Sequence, residues 1–138
     1  MEIQEFKIFI QDIVKEAKSL KDKHTNETDA LVNYACIFCQ NEEEFKDFNK
    51  LSENIGKIIK QTPTGSLFHI DKLNTVSGEL QLLKIRKPEK TRPEKGDVDF
   101  TISDYTSFKN KYLSKTKKVK VAPVLPNRLC DFVAAKGG

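Results

Sequence analysis

Apolar residues recur at steps of three and four from the start of the chain: Ile3, Phe6, Ile10, Ile13, Val14, Ala17 and Leu20. That spacing predicts an amphipathic helix over residues 2–21, about five turns long. Ile8 and Phe9 fall beside the stripe and widen it, so the helix is expected to dock on a sheet or on a partner subunit. The polar run 21–29, which contains His24, reads as a connecting loop.

Residues 30–39 (ALVNYACIFC) are apolar almost throughout and rich in strand formers, which predicts a strand covered on both faces. Asn41 followed by Glu44 is close to a capping box, and Glu42 and Glu43 suit the positive end of a helix. Phe45, Phe48, Leu51 and Ile55 line one face of that helix, with Gly56 at the position of a terminating glycine. Short strands are expected at 57–61 and 66–71 around the turn Pro63-Thr64-Gly65. A polar connection, 72–77, then leads into a strand at 78–86. The pattern is βαβββ.

The stretch 79–105 organises the rest, because an apolar run (80–85) and the alternating Val98, Phe100 and Ile102 flank a loop dense in Lys, Arg and Pro. Gly96-Asp97 opens a strand at 98–103. Asp104 can cap a short helix bearing Tyr105, Phe108, Tyr112 and Leu113. Residues 118–124 alternate like an edge strand with a tolerated proline, and 129–134 make a last short strand. The tail 134–138 reads as disordered, and its Gly137-Gly138 is more simply a loose end than a ubiquitin-like tail. The fold class is therefore α/β of the α+β kind. One domain, 1–138, holds an N-terminal helix (1–22) packed on the sheet, a βαβββ module (30–86) and an incomplete second βαβ unit (96–134).

Composition narrows this little: with 38% apolar and 32% charged residues, the chain belongs with globular proteins of polar surface. No apolar run approaches the roughly 20 residues that span a bilayer, and acids stand where a secretory leader would be basic. A cytoplasmic location follows by default. Cys36, Cys39 and Cys130 are three in number, which fits a reducing compartment better than a disulfide framework.

Charge changes the picture more. Residues 84–120 hold twelve basic side chains against five acidic ones, a local +7 in a chain whose net charge is +4. Such a half can face phosphates on nucleic acid or on a small anion. A solvated Lys-rich surface is the plainer account, because no aromatic residues interleave the lysines of 87–95 as a base-stacking surface requires. Lys84, Arg86, Lys87, Lys90, Arg92 and Lys95, spaced by Pro88 and Pro93, form a stiffened cationic loop suited to a phosphate or carboxylate. No glycine-rich phosphate cradle occurs.

Residues 31–113 resemble the vicinal oxygen chelate superfamily, the glyoxalase and bleomycin-resistance group, and are most similar to its small YecM-like members. Asn33-Tyr34 stands at the place of the family's Asp-His pair and Pro63-Thr64-Gly65 at its turn. Arg86-Lys87-Pro88 stands at the strand exit and Gly96-Asp97-Val98-Asp99 at the opening of the second unit. The resemblance implies a concave sheet with Tyr34 and Asp99 facing a hollow from adjoining strands. Family enzymes hold a divalent metal there through His and Glu. Tyr34 and Asp99 depart from that pattern, which implies a site in the same place whose metal function is lost or altered.

Asp97 and Asp99, two apart on a strand, share the face opposite Val98, Phe100 and Ile102. They can share a proton, bind Mg²⁺, or simply pair with Arg86 or Arg92. His69 points away from Phe68 and Ile70 and is either a general base or metal ligand, or a half-buried hydrogen-bonding residue. Cys36 and Cys39 have the spacing of a redox pair, but on a strand they face opposite ways, so core packing accounts for them better.

The expected function is non-catalytic binding of a small anion or metabolite by a glyoxalase-like homodimer. Arg86, Arg92 and His69 would hold the anion near Tyr34, with Asp97 and Asp99 adjoining. No cofactor is expected, a divalent metal being left open. The alternatives are a metal-dependent isomerase, lyase or dioxygenase using His69, Asp97 and Asp99, and a nucleic-acid binder using the basic 84–120 region. No membrane partner is expected.

Overall fold

The computed structural model describes residues 1–101 and the backbone of two further strands, 119–122 and 129–134. The expectations for Ile102 and Ser103, for the short helix after Asp104, for the ends of the 118–124 strand and for 135–138 lie outside the described residues.

The elements run α1 (Ile3–His24), β1 (Val32–Phe38), α2 (Glu42–Ile55), β2 (Gly56–Thr62), β3 (Gly65–Thr75), β4 (Gly78–Arg86), β5 (Gly96–Thr101), β6 (Val119–Ala122) and β7 (Leu129–Ala134). This is a mixed α+β chain whose strands form one sheet in the order β2-β3-β4-β1-β5-β7-β6. β1 is parallel to β4 and antiparallel to β5. A parallel pair needs a crossover, and here α2 and the β2-β3 hairpin supply it. The expected edge strand, β6, does end the sheet.

α1 and α2 cover one face of the sheet, and they meet where Phe6 and Phe9 pack on Phe48. Phe6, Ile10, Ile13, Val14 and Ala17, the stripe read from the sequence, are buried against Ala35, Ile37, Phe68, Ile70, Leu83, Ile85, Val98 and Phe100. The helix therefore docks on the chain's own sheet. Of the two residues expected to widen the stripe, Phe9 packs on the core while Ile8 remains 55% exposed. The start of α2 is as expected: the Asn41 side chain accepts the Glu44 N–H at 2.8 Å, and the Glu44 carboxylate accepts the Gln40 N–H at 2.9 Å.

Three local expectations are corrected. α1 continues to His24, because Thr25 closes its end by donating its hydroxyl and its N–H to the Lys21 carbonyl, both at 2.8 Å. Lys21, read as the first loop residue, is fully buried. Its ammonium donates to Asp22 at 2.7 Å and to the Glu27 carbonyl, and it lies 5.1 Å from the Phe100 ring centroid. A buried ammonium persists only with such partners.

Gly56 does not end α2 in a left-handed turn. It is extended (φ −175°) and opens β2, where the strands run so close that a Cβ would stand 2.3 Å from the His69 carbonyl oxygen. Residues 72–75, expected in a polar connection, belong to β3. A register shift between His69 and Leu73 resets the alternation, so that Leu73 pairs with Leu80 and is buried.

The β2–β3 and β3–β4 turns, Thr62-Pro63-Thr64-Gly65 and Thr75-Val76-Ser77-Gly78, are built alike. In each, the first threonine donates its hydroxyl to the glycine carbonyl (2.7 and 2.6 Å) and accepts the N–H two residues on (3.3 and 3.0 Å). Both glycines have positive φ, 149° and 100°.

Gly56→Ala is expected to lower the urea midpoint, at a cost of about 2 kcal/mol or more, because backbone atoms rather than a flexible side chain must give way. An unchanged midpoint at constant slope would contradict the close approach of β2 and β3.

Candidate functional site

Alternation along the central strands separates core positions from a second face, opposite α1 and α2. Tyr34, Cys36 and Phe38 on β1 lie on that face, as do Lys84 and Arg86 on β4, Asp97 and Asp99 on β5, and Leu67 and His69 on β3. The register aligns them in rows: Asp97, Cys36, Lys84 and Leu67 stand side by side, Tyr34 faces Asp99, and Phe38 faces Arg86. Acids thus occupy β5, neutral side chains β1 and bases β4.

Tyr34 and Asp99 are direct partners on adjoining strands, as the resemblance implied. Tyr34 is half-buried and its side chain hydrogen-bonds with Cys36. Asp99 is buried, and its Oδ1 has no hydrogen-bond partner among the described residues. Asp97 is half-buried beside Cys36.

His69 is exposed and pairs with Leu82 on β4 and Lys57 on β2. Three strand spacings, about 14 Å, separate its strand from that of Asp97 and Asp99. Those three side chains do not converge. Nor does His69 adjoin Arg86, whose partner on β3 is Gly65, four residues earlier.

Arg86 and Arg92 do converge. The Arg86 Nη2 donates to Glu89 Oε2 at 3.1 Å, and the Arg92 Nε donates to the same oxygen at 2.9 Å. Their attraction holds the Glu89 carboxyl below the usual carboxylate range, the Arg86 hydrogen bond contributing most.

The fork has its own supports. Arg86 ends β4, and its carbonyl accepts the Cys39 N–H at 3.2 Å. Arg92 lays its guanidinium over the Phe38 ring, 5.3 Å from the centroid. The Gln40 amide donates to the carbonyls of Phe38, Arg92 and Glu94 at 2.8, 3.4 and 2.9 Å, tying the loop to the end of β1. Glu89 and Gln40 were missed as site residues. An acid three residues from an arginine on each side was the available signal for Glu89, but Gln40 acts across more than fifty residues and left none.

Cys36 and Cys39 are free, buried thiols. Burial, and then the Asp97 charge, push Cys36 up to about 12. Burial, and then Glu44 and Glu42, push Cys39 up to about 12. Among the described residues no three of His, Cys, Asp and Glu gather as a metal-ligand set, and the implied metal position offers a tyrosine engaged with a thiol and one carboxylate. That donor set does not fit a divalent ion.

Fold and site together define a mixed α+β domain carrying a graded polar face and a two-arginine fork. No known protein family, no curated protein and no solved structure matches the chain.

Both thiols keep their protons above the ordinary value of 9.0, where an unfolded chain releases them. Their contribution to stability is full below about pH 9 and disappears as the pH rises toward 12. Iodoacetamide at pH 8, with sites mapped by mass spectrometry, should leave Cys36 and Cys39 unmodified in the native chain and alkylate both in denaturant. Rapid native alkylation of either contradicts its burial.

Proposed function

We propose that the chain is a small-anion or metabolite-binding module of glyoxalase-like architecture that acts by binding rather than by catalysis. The observation that carries the reading is the convergence of two guanidinium groups, Arg86 and Arg92, on a single carboxylate oxygen. Bidentate and paired arginine contacts are the strong way to hold a carboxylate or phosphate. Tyr34, Cys36 and Phe38 form the neutral floor running from the fork toward Asp97 and Asp99. His69 would touch only a ligand long enough to reach β3.

The glyoxalase-like part of the reading draws support from topology. The strand–helix–three-strand order from β1 to β4 is followed by a strand that pairs antiparallel with β1, so the first strands of two units meet at the centre of the sheet. The second unit differs from the first, since β7 runs antiparallel to β5 where β4 runs parallel to β1. A homodimer through the open sheet edges belongs to the same proposal, and light scattering giving a monomer mass removes that part of it.

Calorimetric titration with a panel of carboxylate and phosphate metabolites should find at least one that binds with one-to-one stoichiometry. Arg86→Ala should weaken it roughly tenfold or more, the usual scale of a lost hydrogen bond to a charged group. Affinity unmoved by the substitution takes the anion away from the fork.

A further inference from the structure

We infer that Glu89 is a tethered stand-in for the ligand, and that the Arg86–Arg92 fork is a carboxylate site whose native occupant displaces it. The inference rests on the binding reading above and specifies the chemistry that the fork selects.

Three observations lead to it. The carboxylate oxygen of Glu89 already occupies the point on which both guanidinium groups converge, at 3.1 and 2.9 Å. Contacts that do not involve the Glu89 carboxylate hold the Arg86 backbone, at the end of a sheet strand paired on both sides, and the Arg92 guanidinium, which covers the buried Phe38 ring while its backbone carbonyl is held by Gln40. The Glu89 backbone is tied to the fork, its carbonyl accepting the Arg92 N–H at 3.0 Å, but among the described residues its carboxylate contacts only the two guanidinium groups. Its side chain is 45% exposed, and it stands with exposed Lys90 and Thr91 at the tip of the loop. That tip lies between two anchors, the Lys87 N–H on the Thr64 carbonyl at 2.8 Å and the Gln40 bonds to the Arg92 and Glu94 carbonyls. The Glu89 side chain can rotate out to solvent from this turn while the Arg86 and Arg92 backbones stay anchored.

A tethered competitor lowers apparent affinity by the fraction of time it holds the site. Two half-exposed ion pairs on one carboxylate are weak enough to be displaced, yet should cost a competing ligand roughly five- to tenfold in affinity. Pre-ordering of the free fork is what the arrangement gains in exchange, because neither arginine must find its rotamer when the ligand arrives.

The test uses malonate and inorganic phosphate as probes, titrated at fixed low ionic strength into the full chain and its variants. Glu89→Ala should bind malonate roughly five- to tenfold more tightly than the unaltered chain, and Arg86→Ala should abolish binding in either background. Glu94→Gln removes a charge from the same loop without touching the fork, and should leave the affinity within about twofold. Equal tightening by Glu89→Ala and Glu94→Gln, or none by Glu89→Ala while Arg86-dependent binding persists, overturns the stand-in and leaves the binding reading intact. A larger gain for phosphate than for malonate overturns the assignment of the fork to carboxylates. If neither probe binds the unaltered chain or Glu89→Ala, the fork is no anion site and both inferences fall.

Discussion

The placement of every polar side chain considered above depends on β1 being hydrogen-bonded on both sides. With β4 parallel on one flank and β5 antiparallel on the other, its register is fixed twice over. Ala35, Ile37 and Cys39 are thereby committed to the helix-covered core, and Tyr34, Cys36 and Phe38 to the opposite face. A slip of one residue would exchange the two sets, driving a tyrosine into the core and exposing two aliphatic side chains. The bulge between Val32 and Tyr34 confines the irregularity to the strand's first residues, upstream of the rows that carry Asp97 and Arg86.

The helix-covered side secures that register from beneath. α1 packs on β5, β7, β3 and β1, so one rigid element bridges strands that are far apart in sequence. Its last turn adds a polar fastening at the rim: the Lys21 ammonium joins Asp22, the Glu27 carbonyl and the Phe100 ring. Burial acts against the Asp22 carboxylate, but hydrogen bonds from Lys18 and Lys21 outweigh it and hold that carboxyl below its ordinary range. Phe100 is also a β5 core residue, so the end of α1 and the strand carrying Asp97 and Asp99 are fixed to each other through one side chain.

Elements set by local rules were legible in the sequence, and contacts between distant loops were not. The α1 stripe, the Asn41 cap and the continuous apolar β1 each follow from spacing or from neighbours within four residues, and each appears where expected. Leu73 was misplaced because a bulge interrupts a period-two pattern without leaving a mark in composition. Lys21 was misplaced because a lysine reads as polar until its ammonium is seen to have three partners. On the polar face, the adjacency of Tyr34 and Asp99 was implied by the resemblance and not by any local pattern. The remoteness of His69 had no such signal, because nothing local in the sequence says that β4 inserts between β1 and β3.

The loop's charge also looks different once its partners are known. Of the cations between 84 and 95, Lys84 donates to the Thr64 hydroxyl at 2.6 Å, and Arg86 and Arg92 share Glu89. Lys95 reaches Glu16 on α1 at 3.2 Å, which is the helix-covered side of the sheet. A phosphate backbone is gripped by a continuous run of unneutralised cations on one surface. Here the charges are divided between the two sides of the sheet and partly balanced by Glu89 and Glu16. Within 84–95 that arrangement supports the proposed small-anion reading, because a point site needs two well-aimed guanidinium groups and gains nothing from a surplus of surface lysines.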